Sequence, residues 1–288
     1  MKRTRPFAFT LAAAAVLLVA GCGGSSGEPA AAPKPTGRET PCKPAQLDTE
    51  KQGVLTIATA PETYEPWMFD NDPTTLQGYE SAVAYAVANV LGFTPERVRW
   101  VRVDFNDALA PGKKNFDFDI DQFSITSKRE RGVDFSSSYL DVTQAVITNS
   151  GSPADGVTTV DGLKELDLGA AVASTSYDAI VDVIQPTKKP TAYDTNQLAV
   201  AALRKQQVDA IVVDLPTAFQ MTDAQLDAGV IVGQIPVQTH EQLGLLLTDG
   251  SPLTDCVTQA VDRLRAQGAL EDLQFKWLSE LDTAPILG

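Results

Sequence analysis

The sequence predicts an α/β protein of two lobes, with two crossover strands serving as the hinge. Three observations carry this. Extended apolar segments alternate with amphipathic helices from Val54 to Leu278, a Gly/Ser/Pro break at residues 150–153 is followed by a second round of the same alternation, and two cysteines, Cys42 and Cys256, stand near opposite ends of the folding segment. Strands alternating with helices favour parallel-rich sheets covered on both faces, and the restart favours two such sheets. About 230 residues suffice for one large core or two small ones.

The N-terminus comes first. Lys2, Arg3 and Arg5 precede an apolar run from Phe7 to Ala20 that closes on Leu18-Val19-Ala20-Gly21-Cys22. A charged head, a short apolar stretch and small residues before the cut describe a secretory signal over residues 1–21, too short to span a bilayer. The closing residues resemble the bacterial lipobox, which implies that Cys22 carries a diacylglyceryl group, enough for stable anchoring. Residues 22–48 are rich in Gly, Ser, Pro and Ala without periodicity and read as a flexible tether. Loss of the signal leaves 20 basic against 37 acidic residues, a net charge of −17, which excludes a nucleic-acid partner. Once Cys22 is lipidated, Cys42 and Cys256 are the two remaining thiols in an oxidising compartment and are expected to pair. The C-terminal segment must then pack beside the N-terminal one.

Within the folding segment, strands are expected at Val54 to Thr59, Val98 to Val103, Phe116 to Ile125 and Gln144 to Asn149. A helix is expected from Glu80 to Leu91, with Ala82, Val83, Ala86, Val87, Val90 and Leu91 on one face and Gly92 ending it. After the break, strands are expected at Leu168 to Ala173, Ala210 to Val213, Val230 to Val232 and Leu243 to Leu247. Helices are expected at Ser176 to Ile184, Asn196 to Gln206, Leu253 to Gln267 and Leu270 to Leu278, and one more opens at Pro216. Pairing of the cysteines assigns residues 49–147 and 240–282 to the first lobe and 148–239 to the second. The crossings are then Gln144 to Asn149 and Gln238 to Leu247. A ligand is expected in the cleft between the lobes, at the strands' C-terminal ends.

Three segments fall at those ends. Asp121 to Ser136 reads D-Q-F-S-I-T-S-K-R-E-R-G-V-D-F-S, where the hydroxyls of Ser124, Thr126 and Ser127 and the guanidinium of Arg129 cluster on one turn. Such a turn either grips a carboxylate or is an ordinary exposed loop. Val172 to Ser176 carries Ser174 and Thr175 at a helix start, suited to capping and to anion contact. Ile211 to Pro216 ends an apolar strand on Asp214, either an N-cap or the partner of a cation. An arginine from one lobe and an aspartate from the other complement a zwitterion, with carboxylate on Arg129 and ammonium on Asp214.

With these pieces in order, the chain resembles family 3 of the bacterial extracellular solute-binding proteins, the amino-acid receptors of ABC importers, which have a type II periplasmic-binding fold. The matching stretches are T-I-A-T-A near Thr59, G-Y-E-S-A-V-A-Y-A-V-A from Gly78, S-I-T-S-K-R-E-R-G-V-D-F-S from Ser124, A-S-T-S from Ala173 and V-D-A-I-V-V-D-L-P from Val208. The resemblance implies that Arg129 clamps a ligand carboxylate, assisted by Ser124, Ser174 and Thr175. It also implies that Asp214 takes the ammonium and that Tyr64 and Trp67 cover the side chain. It implies an ABC permease as partner, no cofactor, and a monomer held at the extracytoplasmic face of the membrane. This chain departs from the family pattern at Ala60, with Glu62 and Glu65 close by, and at Asp121 and Gln122, which point to a polar or cationic ligand side chain. Asp117, Asp119 and Asp121 alternate on one expected strand and are read as solvated or paired with Lys or Arg.

No nucleophile elbow, Walker loop, C-x-x-C or H-E-x-x-H is present, and His240 is the one histidine, read as a surface or hinge residue. The chain is therefore not expected to be an enzyme. Two alternatives stand beside transport. One is a dehydratase of cyclic prephenate-like acids on the same fold, with Asp121 or Glu62 as general acid. The other is a sensor that presents its ligand to a membrane signalling partner.

Overall fold

The computed structural model describes residues 42–236, 241–278 and 284–288. The expected signal, Cys22, most of the tether and His240 lie outside them. The last tether residues belong to the folded body, since Leu47 is buried in the first lobe's core.

Two five-stranded mixed sheets form, as expected, and helices cover both. The elements of the first lobe are β1 (Leu55–Thr59), α1 (Tyr79–Val90), β2 (Val98–Arg102), α2 (Phe105–Leu109), β3 (Phe118–Asp119) and β4 (Val133–Val142). The second lobe has β5 (Gln144–Asn149), β6 (Leu168–Ala171), α3 (Thr175–Ala179), β7 (Thr191–Tyr193), α4 (Asn196–Arg204), β8 (Ala210–Asp214), α5 (Leu215–Gln220) and β9 (Gly229–Gln234). The chain then returns as β10 (Glu241–Thr248), α6 (Thr254–Ala266) and α7 (Ala269–Trp277). The first sheet runs β2-β1-β3-β10-β4 and the second β7-β6-β8-β5-β9. β10 and β5, the strands that reverse direction, pair antiparallel with their neighbours, while β1, β2 and β3 are parallel, as are β6, β7 and β8.

Strand alternation divides each core into two layers. In β1, Leu55 and Ile57 face the helices α1, α6 and α7, whereas Ala58 packs with Phe116, Phe123, Val133 and Leu246 on the other side. In β8, Ile211 and Val213 face α4 and α5 while Ala210 and Val212 face Ile180 and Ile184. Burying each such side chain stabilises by roughly 1.5–3 kcal/mol. The expected apolar stripe on α1 is broader than periodicity suggests, because Tyr79, Glu80, Ser81 and Tyr85 are buried as well. Gly78 is forced there: its φ is +96°, and a Cβ would lie 2.4 Å from the Trp67 carbonyl oxygen.

Cys42 and Cys256 are bonded, with Cα atoms 5.4 Å apart across 214 positions of sequence, so α6 does pack beside the N-terminal segment.

The structure moves several boundaries. β5 pairs along its length in the second sheet, so the first crossing is Thr143 and not the stretch from Gln144 to Asn149. The break at residues 150–153 is a turn inside the second lobe, with Gly151 at φ +80°. The expected strand from Phe116 to Ile125 shrinks to Phe118–Asp119, because Gln122 turns the chain at φ +49° and only Ser124 rejoins the sheet, opposite Leu243. The second crossing lies between Gln234 and Glu241, with residues 237–240 outside the described ones.

A third passage between the lobes was not expected. Residues 284–288 lie on β9: Gln234 N–H donates to the Pro285 carbonyl at 2.7 Å, Leu287 N–H donates to Gln234 at 3.0 Å, and Leu287 is buried. The Gln234 side chain also donates to the Ala284 carbonyl and accepts from Thr143 Oγ1 at 2.7 Å, so one residue ties the tail to the first crossing.

Candidate functional site

A cavity of about 650 Å³ opens between the lobes at the C-terminal ends of β1, β6 and β8. Eight of the nine residues expected to meet a ligand line it: Tyr64, Asp121, Gln122, Ser124 and Arg129 from the first lobe, Ser174, Thr175 and Asp214 from the second. Trp67 does not. It is fully buried in the first lobe's core and donates from Nε1 to Thr217 Oγ1 at 3.0 Å, an interlobe bond rather than a cover.

Arg129 sits on the short turn that follows Ser124. Nη1 donates to the Ser124 carbonyl at 2.8 Å and Nη2 to the Ala173 carbonyl at 3.1 Å, so one guanidinium spans both lobes. Its plane rests against Phe105, 5.4 Å from Cζ to ring centre, and Phe105 stacks on Phe123 at 4.7 Å. Burial lowers the arginine pKa, opposed by the charges of Glu241, Asp214 and Asp178. A guanidinium held by two carbonyls keeps its remaining N–H donors for an anion in the cavity.

Ser124 Oγ lies 3.1 Å from Thr175 Oγ1 on the opposite lobe. Ser174 is committed elsewhere, since its hydroxyl accepts from Tyr177 N–H at 3.1 Å as the N-cap of α3 and donates to the Ala171 carbonyl at 2.7 Å. Two non-glycine residues have left-handed backbone at this site: Ala173 (φ +59°), whose carbonyl accepts from Arg129, and Gln122 (φ +49°), two positions before the other acceptor, Ser124. Such conformations cost of order 1–3 kcal/mol and persist where surrounding structure imposes them, often at functional sites.

Asp214 occupies the N-cap position of α5 yet makes no side-chain capping bond. Its Oδ1 accepts from Gln144 Nε2 at 2.6 Å instead, and the same nitrogen donates to Glu241 Oε2 at 2.7 Å. Burial and the Glu241 charge push the Asp214 carboxyl up to about 8, opposed by the Gln144 bond and by Arg129.

The acidic alternation resolves into three environments: among the described residues none of the three is in a salt bridge, Asp117 and Asp119 are buried, and Asp121 alone is partly exposed. Asp117 accepts backbone N–H bonds from Glu50 and Thr56 at 2.7 and 2.6 Å, and burial raises it to about 6. Asp119 is wholly buried with both oxygens unpartnered, and burial holds its carboxyl well above the usual range. Asp121 lines the cavity, raised by burial and then by Glu80 and Asp119. Behind it, Glu80 of α1 accepts from Tyr139 Oη and from both the backbone and side-chain N–H of Gln122, and burial lifts it to about 7. Gln122 therefore spends one of its two amide hydrogens on Glu80.

Tyr64 accepts from Asn196 Nδ2 at 3.3 Å across the cleft, and burial raises its pKa. The cavity wall also includes Glu62, Asp104, Asp107 and Asp194, which gives it six carboxyl groups with Asp121 and Asp214. Of the functional residues beyond the expected set, Asn196, Phe105, Gln144 and Glu241 stand out. None sits in a motif, and only Gln144 has a sequence signal, as a polar residue opening an apolar strand. Among the described residues, no group of three or more His, Cys, Asp or Glu is arranged to hold a metal ion. No helix among them is long and apolar enough to cross a membrane.

Residues 55–280 match the model of the bacterial extracellular solute-binding proteins, family 3, and the chain belongs to that family. It is similar to the L-cystine-binding protein TcyJ of Escherichia coli K12, 26% identical over 232 residues, 79% of this chain and 84% of the relative. The ABC transporter glutamine-binding protein GlnH of Bacillus subtilis is 22% identical over 271 residues, covering 92% of this chain and 94% of its own. Among solved structures, an ancestral arginine-binding protein bound to glutamine superposes with a TM-score of 0.66 at 26% identity, over 79% of this chain and 98% of the other. An ancestral amino acid-binding protein described as a precursor of cyclohexadienyl dehydratase gives a TM-score of 0.64 at 24% identity, over 78% and 94%. The two-lobed fold is that of periplasmic amino-acid-binding proteins.

Proposed function

We propose that this protein is a lipid-anchored extracytoplasmic receptor that closes on one amino acid, or a similar small zwitterion, and delivers it to an ABC permease. The observation that carries this reading is the presence at one cavity of Arg129, anchored on carbonyls of both lobes, and Asp214, an N-cap residue whose carboxyl makes no capping bond. A ligand carboxylate takes the free N–H donors of Arg129 and its ammonium takes Asp214. The six carboxyl groups of the wall, against Arg129, favour a polar or cationic side chain beyond those two anchors. Relatives named for arginine and cystine binding are consistent with that choice. Ligand contact with both lobes is what favours the closed form over the open one.

A thermal-shift screen of the twenty amino acids, followed by calorimetry with the best stabiliser, tests the reading. One or more amino acids raise the melting temperature, and Arg129→Ala and Asp214→Ala each weaken binding of the best of them while keeping a single cooperative melting transition. Unchanged affinity in either variant places the ligand elsewhere. A dehydratase reading draws on one observation, the raised carboxyl of Asp121 facing the cavity, the property a general acid needs. Incubation with prephenate or arogenate decides it, because turnover to the aromatic product overturns a purely receptive role.

A further inference from the structure

Asp214 does not stand alone at its end of the cavity. Gln144 Nε2 has two hydrogens, and one goes to Asp214 Oδ1 at 2.6 Å while the other goes to Glu241 Oε2 at 2.7 Å. The amide oxygen of Gln144 accepts from Ser176 Oγ at 2.6 Å, which fixes the flip of the amide and therefore its donors. Glu241 Oε1 is buried with no hydrogen-bond partner. Three crossover-side elements, β5, β8 and β10, thus bring two carboxyl groups onto one neutral amide. Arg129 makes no hydrogen bond to either carboxyl; its described bonds go to the carbonyls of Ser124 and Ala173.

Two half-buried carboxylates, one with a fully buried and unpartnered oxygen, share a single neutral donor, which is electrostatically unfavourable unless one of them keeps a proton or a cation arrives. The groups that face Asp214 are Glu241 from β10 and Glu80 from α1, which oppose its ionisation, and Gln144 from β5 and Arg129 from the first-lobe turn, which favour it. Burial and Glu241 prevail, in line with a carboxyl pushed up to about 8.

We infer that Glu241 is a positioning residue of the ammonium subsite, one that keeps Asp214 protonated in the empty receptor so that an incoming cationic group takes the place of that proton. The exchange balances: the Asp214 O–H bond breaks, the proton leaves to solvent, and the carboxylate formed accepts the N–H bonds of the ammonium. Glu241 acts through Asp214, since it does not line the cavity. Affinity for a cationic group is then weakened toward acid pH, tenfold for each unit below the Asp214 midpoint.

This inference rests on the reading of Asp214 as the ammonium subsite, and ligand-free protein tests it separately from that reading. A carboxyl whose folded pKa lies above its unfolded value gives stability that is present at low pH and is lost as pH rises toward the folded value. Glu241→Gln removes the neighbouring charge, so its melting temperature relative to the parent should climb by roughly 2–6 °C between about pH 5 and about pH 8. Melting curves that stay parallel over that range overturn the inference. A second measurement needs no Glu241 variant: in aspartate-labelled parent protein, the Asp214 carboxyl ¹³C signal, identified by its loss in Asp214→Asn, should titrate near pH 8. A midpoint below about pH 5 also overturns it.

Discussion

At the scale of single residues, the site is a contest between burial and charge. Arg129 is held by backbone oxygens, Asp214 by an amide, and neither has an ionic partner among the described residues until a ligand arrives. Truncating one partner of a desolvated charge pair costs about 2–5 kcal/mol, so Arg129→Ala and Asp214→Ala should each weaken ligand binding by roughly 30-fold to several thousand-fold in calorimetry. Trp67→Phe should be gentler on affinity than either, since the ring packs in the core and only its bond to Thr217 is lost. At Gly78, both the positive φ and the contact with the Trp67 carbonyl forbid a side chain, and Gly78→Ala should destabilise the fold by about 2 kcal/mol or more in urea titration.

At the scale of elements, the regular apolar segments were readable and the polar ones were not. β5 has the bounds that its sequence suggests, and β1, α4, β8, β10 and α6 agree within about two residues, because each carries a clear period and a strong boundary signal. β4 lacks such a period, because Ser136, Ser137 and Ser138 interrupt its apolar alternation. In the fold, Ser136 Oγ accepts from Leu245 N–H at 3.0 Å, and the register with β10 shifts twice around Gly244. The same holds for the site. Arg129, Asp214, Ser124 and Thr175 could be placed from strand ends and from motif order, whereas Asn196, Phe105 and Glu241 reach the cavity region only through tertiary packing. The C-terminal tail has no period at all, yet Leu287 fills a space over Gly233 so tightly that a Cβ there would come within 2.9 Å of it. Leu287→Ala should therefore destabilise by about 2–3 kcal/mol, measured by denaturant titration with the slope unchanged.

At the scale of the whole molecule, two constraints govern stability. The bond between Cys42 and Cys256 closes a loop of 214 positions, and replacing both by serine should cost roughly 5 kcal/mol in the chain-entropy account, with a reducing agent reproducing the loss in the parent. The second is proton balance. Glu80, Asp117 and Asp214 have folded values of about 7, 6 and 8, all above those of an unfolded chain. Unfolding therefore releases protons between about pH 4 and pH 8, and the ligand-free melting temperature should fall as pH rises through that window. A melting temperature that rises over the same interval would show these groups to be ionised in the fold.

The bond from Trp67 to Thr217 makes this receptor its own optical gauge. The indole belongs to one lobe and its acceptor to the other, and the ring is shielded from water while they meet. Separation of the lobes exchanges that acceptor for solvent, so emission from Trp67 shifts to longer wavelength as the cleft opens. Trp100 and Trp277, packed on the first lobe's core, supply a nearly constant background. Hinge motion can thus be followed by fluorescence in the unlabelled protein, with Trp67→Phe as the blank.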